Sequence, residues 1–509
     1  MTVRSPVGLL IVATLAFGAS FSAPLTVLAA TTWQFPSGDC PQSATGLQDC
    51  IDKTAAGDTL VIELDPLASQ YGSITHSLTL EAAPGLDPTL AGVMVDDHGA
   101  SGALDVTIEG LSFIDHVEAS FTGGTGHTLT IRDVSVTEQP DALVAGIFMA
   151  TSVPSSFRVI GSEVRFTGES GGIVLQTSSN SGLVAFQAIG NRTSAPGVAS
   201  SGSGIEVDAD HAGSLRADIL NNVVWDVAAC GCGASAGISF VLEGTGQERA
   251  SIVGNTVDHA KTGGNIAVAA LSVRNDLAAG GHVVVSAFDD VLAHSGLGLA
   301  VQDAVGSPKA IVEAGYNDFF KNAFGNDVGG RSIGSHNLTS DPVLVDEPHG
   351  DLRLKASSTV IDKGMVCSPG GVAELDAAGH GRLAGSSVDM GAFERGAGAP
   401  TGIAVVGTNA SNTFTGTPGA DILCGMGGDD HLDGQDGNDY IDGGSGRDVL
   451  VGGTGSDRLF GRAGNDTLCA RDGSLGNDHL DGGPGVDGYR ADAGDAKISL
   501  EHSSSCPPA

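Results

Sequence analysis

Basic residues and aromatic residues are scarce in this chain of 509 residues. It has 24 lysines and arginines against 60 aspartates and glutamates, a formal net charge of −36, and only 5% aromatic residues. A chain with so little positive charge repels the phosphate backbone of nucleic acids, which argues against DNA or RNA as a partner. Small residues dominate instead, including 77 glycines, and this composition favours stacked strands with tight turns over helices.

Long apolar runs are absent after the first 30 residues, so the mature chain is predicted to have no membrane span. Residues 1–30 contain Arg4, an apolar run over 7–21 and small residues at 27–30. This order is typical of a secretory signal peptide cleaved near Ala29 or Ala30. An uncleaved membrane anchor is the alternative, and Pro24 together with the small-residue end weighs against it. The protein is therefore predicted to be secreted, extracellular or at the cell surface.

A nine-residue unit repeats through the C-terminal part of the chain. Gly-Gly-Thr-Gly-Ser-Asp-Arg-Leu-Phe at 452–460 is one copy, and each copy has an aspartate followed two places later by an apolar residue. Glycines allow tight turns with positive φ, and the apolar residue belongs to a short strand, so each unit is a turn and a strand. Two units complete one coil of a parallel β-roll. The repeating aspartates are Asp421, Asp430, Asp439, Asp448, Asp457, Asp466, Asp478 and Asp487.

Aspartates 18 residues apart are predicted to stack in two columns, one with Asp421, Asp439 and Asp457 and the other with Asp430, Asp448 and Asp466. At the inter-coil spacing of about 4.8 Å, neighbouring carboxylates repel by roughly 1 kcal/mol in water and more inside a protein. A cation must offset this repulsion. Carboxylates and turn carbonyls offer only oxygen, which suits Ca²⁺ better than Mg²⁺ or a thiolate-binding metal.

This array resembles the calcium-binding nonapeptide repeats of RTX proteins. The resemblance implies that the eight repeating aspartates bind Ca²⁺. Arg462 departs from the pattern in place of a glycine, and residues 471–474 interrupt the spacing, which places doubt on the sites beside them. A flexible linker rich in glycine and aspartate is the alternative, but it has no reason to keep an apolar residue in register.

The N-terminal part of the chain has a longer repeat. Gly-Ile pairs begin at 146, 172, 204 and 237, and asparagines recur at Asn191, Asn221-Asn222 and Asn255. The spacing suits a coil of three strands, which must stack on its neighbours to bury its apolar face. The asparagines are expected to align at one turn and to bond to the coils above and below. A solenoid is thus predicted, with a β-sandwich as the second choice.

Residues 47–54 are predicted to form a short amphipathic helix that caps the solenoid, and strands with alternating apolar residues follow it. This opening is similar to the N-terminal cap and first coils of secreted right-handed parallel β-helix proteins of the pectin-lyase-like group. Residues 337–394, which include the Val-Asp-Met-Gly-Ala-Phe-Glu run at 388–394, are similar to the choice-of-anchor Q ending of exported β-helix proteins. Ser358-Thr359 and Ala377-Ala378 depart from that pattern. The resemblance implies a structural closing segment.

Eight cysteines fit an exported protein, because disulfides persist outside the cell. Cys40 and Cys50 are predicted to form a local bridge. Cys424 and Cys469 are five units apart, which places them on opposite sheets of the roll. Cys230 and Cys232 lie too close for an ordinary bridge. The remaining connectivity is left open by the sequence.

The predicted fold is all-β, a right-handed parallel β-helix followed by a calcium-binding parallel β-roll. The predicted segments are a signal peptide at 1–30, the β-helix at 31–395, a linker at 396–405, the roll at 406–497 and a tail at 498–509. The expected function is that of a calcium-binding exported protein with a structural, adhesive or glycan-binding role. Its partner is then an extracellular polysaccharide or a cell surface.

An enzyme is the alternative, namely a polysaccharide lyase or a uronate C5-epimerase acting on an acidic glycan. Alginate epimerases combine a β-helix with nonapeptide modules, but their Asp-Pro-His-Glu signature is missing here. Glu347-Pro348-His349-Gly350 has similar letters and belongs to the closing segment. The candidate polar groupings are Asp258-His259 with Lys261 and Asp289-Asp290 with His294. Each is also explained by a solvated turn, so no catalytic residue is assigned.

Overall fold

The computed structural model describes most of the chain after the leader. The described residues are 30–38, 40, 46–63, 67–138, 145–167, 171–178, 182–196, 199–200, 202–211, 213–229, 236–258, 269–372, 375–396, 402–470 and 472–506. The predicted signal peptide (apart from Ala30), Cys230, Cys232, His259 and Lys261 lie outside these residues, as does half of the predicted linker, 397–401. No helix of the described part is long and apolar enough to cross a membrane.

The N-terminal part is a parallel β-helix whose coils have three faces. The first face is a sheet of 11 parallel strands. Its strands are Thr32–Phe35, Asp58–Ile62, Leu78–Ala82, Asp105–Glu109, His127–Arg132, Ser155–Ile160, Leu183–Ile189, Ser214–Leu220, Gln247–Val253, His282–Phe288 and Ile311–Gly315. Each strand pairs with the strand one coil away and not with its neighbour in sequence, which is the topology of a solenoid.

The second and third faces join into one sheet of 16 strands, because Thr89–Asp96 pairs with strands of both. The second face has the short strands Ser112–Phe113, Ser135–Thr137, Glu163–Arg165, Arg192–Ser194, Val223–Trp225, Thr256–Asp258 and Val291–Ala293. The third face has Leu67–Ile74, Val117–Phe121, Ile147–Thr151, Ile173–Thr177, Ile205–His211, Ala236–Gly244, Ala269–Asn275 and Leu297–Asp303. A small separate pair joins Ala199–Ser200 to Ala228–Ala229.

The repeats read from the sequence correspond to stacked positions. Ile147, Ile173, Ile205 and Ile238 pair one after another on the third face, and all are fully buried. They belong to one continuous apolar core that runs the length of the solenoid. The three-strand coil and the all-β solenoid are therefore confirmed, and the β-sandwich is not found in the described residues.

The asparagines form a buried ladder at the turn between the first and second faces. Asn191 Nδ2 donates to Asn222 Oδ1, and Asn222 Nδ2 donates to Asn255 Oδ1, each over 3.0 Å. Asp290 continues this ladder by accepting from Asn255 Nδ2. The residue before each of the four ladder residues has a positive φ, and these are Gly190, Asn221, Gly254 and Asp289, with φ of 65°, 54°, 66° and 60°. Glycine, asparagine and aspartate tolerate this conformation best. The expected alignment of asparagines is confirmed.

A one-turn-and-a-half helix, Gly46–Ile51, covers the first coils. Leu47 and Ile51 are buried in the solenoid core, and the predicted bridge between Cys40 and Cys50 is present. The helix ends three residues before the predicted end at Thr54, whose hydroxyl instead bonds the carbonyl of Ile51. Capping of this end by a helix is thus observed.

The closing segment folds back along the second face. It contains an antiparallel pair, Leu344–Asp346 with Asp351–Leu354, and a 3₁₀ turn at Glu347–His349. Leu352, Val360 and Phe393 of this segment pack with Val223 and Val291 of the second face in a separate apolar cluster. The segment therefore covers one side of the last coils.

The C-terminal part is a β-roll of two parallel sheets with six strands each. One sheet contains Ala404–Val406, Ile422–Cys424, Tyr440–Asp442, Arg458–Phe460, His479–Asp481 and Ala496–Ile498. The other contains Thr413–Thr415, His431–Asp433, Val449–Val451, Thr467–Ala470, Gly488–Ala491 and His502–Ser503, and a small pair joins Ser445–Gly446 to Ala463–Gly464. The roll thus reaches into the stretches predicted as linker and tail. One residue per unit, such as Leu432 or Leu450, fills the core between the sheets.

The roll packs against the closing segment. Cys424 of the roll is bonded to Cys367, and Cys469 is bonded to Cys506 near the C-terminus. Val366 and Val388 of the closing segment share an apolar cluster with Ile422 and Tyr440 of the roll. Cys424 and Cys469 lie on opposite sheets, as predicted. The two parts are therefore joined by a covalent bridge and by an apolar contact.

Candidate metal centre

The repeating aspartates of the roll stand in two columns. In the first column, the backbone amides of Asp421, Asp439 and Asp457 donate to the Oδ1 atom of the aspartate one coil further on, which for Asp457 is Asp478. In the second column the same bond links Asp430 to Asp448, then to Asp466 and Asp487. These bonds measure 2.8–3.0 Å. The predicted columns are confirmed, and the three-residue insertion leaves the stacking intact.

The second carboxylate oxygen of seven of these aspartates is buried and has no hydrogen-bond partner among the described residues. A buried acceptor without a partner costs about 1–3 kcal/mol, and a charged one costs more. Seven such atoms in regular array therefore indicate a ligand that is a cation. They are Oδ2 of Asp430, Asp439, Asp448, Asp457, Asp466, Asp478 and Asp487.

The Oδ2 atom approaches the first glycine of its unit and a carbonyl of the next coil. A Cβ atom placed on Gly461 would lie 2.6 Å from Asp466 Oδ2 and 2.6 Å from the carbonyl oxygen of Gly482, one coil away, so a larger residue would clash with both. Carboxylate and carbonyl oxygens are the ligands that Ca²⁺ prefers. We call the region bounded by the Oδ2 atom, the first glycine of the unit and the carbonyl of the next coil the cradle. Glycine, which has no Cβ, permits this close approach.

Burial raises the pKa of most of these aspartates. The pKa of Asp439 rises to about 8, mainly because of desolvation and then because of the charges of Asp457 and Asp421. Desolvation likewise raises the pKa of Asp457 and Asp466 to about 7. A bound divalent cation reverses this effect by favouring the charged carboxylates, so calcium binding releases protons.

Asp421 differs from the other seven predicted ligands. Its Oδ2 accepts a hydrogen bond of 2.6 Å from the amide of Thr417, and its Oδ1 accepts one of 2.9 Å from the Thr417 hydroxyl. Thr417 stands where later units have residues with positive φ, such as Met426 and Gln435. Its turn therefore satisfies the carboxylate by itself. The assignment of Asp421 as a calcium ligand stays a prediction, with less support from the structure than the others.

The two units beside the interruption at 471–474 differ from each other. Asp478 and Asp487 both have a buried Oδ2 without a hydrogen-bond partner among the described residues. A Cβ placed on Gly482 would lie 2.6 Å from Asp487 Oδ2, so this unit keeps its cradle, whereas a Cβ on Gly473, the equivalent glycine before Asp478, would meet no atom within 4 Å. Arg462 replaces a glycine at a position with φ of 71°. Its guanidinium pairs with Asp442, with Nε 2.7 Å from Oδ2, and lies over the ring of Phe460. The departures noted in the sequence are thus accommodated locally.

The polar groupings of the β-helix are regrouped by the fold. Asp290 is buried in the asparagine ladder, where its Oδ1 accepts a hydrogen bond from Asn255 Nδ2. His294 Nδ1 instead lies 2.8 Å from Asp258 Oδ1 and 3.3 Å from Glu347 Oε1. The sequence analysis assigned Glu347 to the closing segment and predicted no contact for it. The spacing of stacked coils could have predicted that Asp258 and His294 lie close together, whereas no pattern in the sequence predicts that Glu347 joins them.

The architecture and the columns define a parallel β-helix followed by a calcium-binding β-roll. Comparison with known families agrees, since the RTX calcium-binding nonapeptide repeat matches four segments, 406–441, 415–450, 442–474 and 472–497. The roll therefore consists of RTX repeats, and these imply calcium binding.

Comparison with whole proteins adds little. The chain is similar to the crystal structure of pectate lyase Pel9A at 13% identity and a TM-score of 0.35, over 73% of this chain and 98% of that one. A likeness this low carries no conclusion about activity. No curated protein matches the chain.

Proposed function

We propose that the chain is an exported protein whose roll folds when it binds extracellular calcium, and whose β-helix binds a polysaccharide outside the cell. The observation that carries the first part is the set of seven buried Oδ2 atoms, which have no hydrogen-bond partner among the described residues. The bridges Cys40–Cys50, Cys367–Cys424 and Cys469–Cys506 support export, since disulfides persist in oxidising compartments.

A groove on the third face supports the second part. It has a volume of about 290 Å³. Ser120, Ala150, Gln176 and Asp208 line it and lie opposite one another on four successive strands. Three inter-coil steps of about 4.8 Å give a length of about 14 Å along the solenoid axis. Hydroxyl, carboxamide and carboxylate groups in such a row match the hydroxyl groups of a short run of sugars.

The charge of this groove favours neutral or amino sugars. Asp208 and Asp210 both line it, and desolvation together with the charge of Glu243 raises the pKa of Asp208. A uronate carboxylate would be repelled there unless a cation lay between. We therefore expect neutral and amino glycans to bind more tightly than acidic ones.

Glycan-array binding of the full chain in millimolar calcium tests this function. Gln176→Ala and Asp208→Asn remove two groove contacts, and Thr130→Ala, on the first face, is the matched control. We expect the two groove variants to lose about tenfold in affinity, or about 1.4 kcal/mol, and the control to bind like wild type. No glycan bound by wild type, or equal binding by all variants, would contradict a glycan-binding groove. Calcium-dependent folding is measured separately.

One observation favours a second candidate, a polysaccharide lyase or epimerase. On the same face Arg274 Nε donates to Asp276 over 2.6 Å, and its Nη2 donates to Glu243 over 3.1 Å. Lyase chemistry needs a positive group for the uronate carboxylate and a base for the neighbouring proton. Incubation with alginate and pectate decides between the candidates. Ultraviolet-absorbing unsaturated uronates that Arg274→Gln no longer releases would favour the enzyme.

A further inference from the structure

Three side chains with metal-binding atoms converge between the second face and the closing segment. His294 Nδ1 lies 2.8 Å from Asp258 Oδ1 and 3.3 Å from Glu347 Oε1. One ligand atom of each residue lies within 4.8 Å of those of the other two. We propose that these three side chains bind a divalent transition-metal ion, with zinc as the expected type, at a site separate from the calcium roll.

The donor set suits zinc better than calcium. One imidazole nitrogen and two carboxylate oxygens are ordinary zinc ligands, and three protein ligands leave a fourth position for water. Calcium prefers six to eight oxygen ligands, and this set includes a nitrogen. The Asp258 side chain is 0% exposed, that of His294 is 19% exposed and that of Glu347 is 29% exposed. The set is closed on the solenoid side and reachable from solvent on the other.

Two of the three donors are held by regular structure. Asp258 ends the strand Thr256–Asp258. His294 follows the strand Val291–Ala293, and these two strands pair with each other from adjacent coils. The amide of His294 donates to the carbonyl of Phe320, and its ring meets the Phe320 ring edge to face at 5.2 Å. Such support fixes two of the three ligands before any ion arrives.

Glu347 is the adjustable ligand. It begins the 3₁₀ turn Glu347–His349, and the Gly350 carbonyl at the end of that turn accepts a hydrogen bond of 3.0 Å from Arg192 of the second face. The turn is therefore anchored while the longer glutamate side chain can move toward His294. Zinc ligands lie about 2.0–2.2 Å from the metal, so Glu347 has to approach the other two ligands when the ion binds.

A metal ion at this site would join two parts of the chain. Asp258 ends a strand of the second face and His294 follows the next one, whereas Glu347 belongs to the closing segment. Metal binding should therefore pin the closing segment to the coils through Glu347.

Titration of the calcium-saturated full chain with Zn²⁺ at pH 8 tests the proposal, with calorimetry as the first readout. Co²⁺ provides a second, because tetrahedral cobalt with an imidazole ligand absorbs in the visible, whereas cobalt bound by the all-oxygen roll does not show that band. The variants are His294→Gln and Glu347→Gln. The matched control is His282→Gln, an exposed histidine of the first face.

We expect wild type and the His282 variant to bind one more zinc ion than His294→Gln, and the affinity of Glu347→Gln to fall at least tenfold. Glu347 is partly exposed, so its variant keeps the fold, and circular dichroism checks this. Zinc bound equally by wild type and both site variants overturns the proposal. So does the absence of zinc binding by wild type together with no visible cobalt band.

Discussion

Asp290 occupies a position where the neighbouring coils have asparagine. Its Oδ1 accepts from the backbone amide and from Nδ2 of Asn255, and its own amide donates to Asn317 Oδ1. Its Oδ2 is buried without a hydrogen-bond partner among the described residues. In Asn191, Asn222 and Asn255 the equivalent Nδ2 atom donates to a backbone carbonyl. Only a protonated carboxyl can imitate that amide.

Replacement of Asp290 by asparagine is expected to stabilise the protein at high pH. Burial raises the pKa of Asp290 well above its usual range, and an unfolded aspartate has a pKa of about 3.9. Folding therefore takes up a proton, so the contribution to stability is present below about pH 4 and is lost as pH rises through the folded-state pKa. Asp290→Asn should match wild type near pH 4 and exceed it by about 1–3 kcal/mol at pH 8.

Urea unfolding of the calcium-loaded protein at both pH values measures this difference. Asn255→Asp is the converse variant, because it introduces a second buried carboxyl into the ladder. It should lose stability progressively as pH rises. An Asp290→Asn variant that is less stable than wild type at pH 8 would show that the aspartate is charged in the fold.

Asp448 offers a residue-level test of the roll. Its Oδ2 borders a cradle, whereas Asp436 lies exposed on a turn and accepts a hydrogen bond from the Thr454 hydroxyl. Asp448→Asn removes a charged ligand worth about 1.5–3 kcal/mol. Spread over about seven ions, this loss corresponds to a rise of about 1.5- to twofold in the calcium concentration at half-folding. Asp436→Asn should leave it unchanged. Circular dichroism during calcium titration of the full chain measures both, and equal midpoints would remove Asp448 from the ligand set.

At the scale of the element, the roll combines a small core with two columns of carboxyl groups. In the metal-free state desolvation raises the pKa of Asp439 to about 8, that of Asp457 and Asp466 to about 7, and that of Asp448 and Asp478 to about 6. These values lie above the roughly 3.9 of unfolded aspartate. Protonation of these aspartates therefore contributes to the stability of the metal-free roll. This contribution is fully present below about pH 4 and is lost as pH rises from about 4 to 8.

The chelated protein should consequently contain more folded roll at pH 5 than at pH 8. Far-ultraviolet circular dichroism in chelator at the two pH values is the measurement. Calcium should abolish the difference, because it keeps the carboxylates charged and paired. A roll equally folded in chelator at both pH values would contradict the proposed repulsion between the columns.

The periodic parts of both elements could be predicted from the sequence. The nine-residue spacing of Asp430, Asp439 and Asp448 requires that alternate copies share a column, and the Gly-Ile pairs mark the third face. The contact of Glu347 with His294 could not be predicted, because it depends on how an aperiodic segment folds back. The contact of Thr417 with Asp421 could not be predicted either. The Thr417 amide and hydroxyl donate hydrogen bonds to the Asp421 carboxylate, which the nine-residue spacing alone assigns as a calcium ligand.

At the scale of the molecule, Cys367–Cys424 links the roll to the closing segment of the β-helix. No repeat relates these two positions, so the bridge could not be deduced from the sequence. The bridge closes a loop with a sequence separation of 57. In the chain-entropy account this lowers the entropy of the unfolded chain and so stabilises the folded state by about 4 kcal/mol. Arg458 adds a contact by donating to the Gly385 carbonyl over 2.8 Å. The β-helix therefore limits how far an unfolded roll can expand.

Removal of this bridge by Cys367→Ser with Cys424→Ser should make the roll need more calcium. Spread over about seven ions, a loss of about 4 kcal/mol corresponds to a two- to threefold rise in the calcium midpoint. The pair Cys40→Ser with Cys50→Ser, at the opposite end of the solenoid, is the control and should leave the midpoint unchanged. Equal midpoints for both pairs would mean that the roll folds independently of its tether.

Each cradle takes its oxygens from two successive coils, as Asp466 and Gly482 illustrate. An ion bound in one cradle therefore orders a coil that also contributes ligands to the next cradle. Later ions then bind to a site of which part is already ordered. Filling of this kind is self-reinforcing, so the protein should respond to calcium steeply around a threshold concentration. Below the threshold we expect the C-terminal part to be unfolded, and above it we expect the whole array to fold in one cooperative transition.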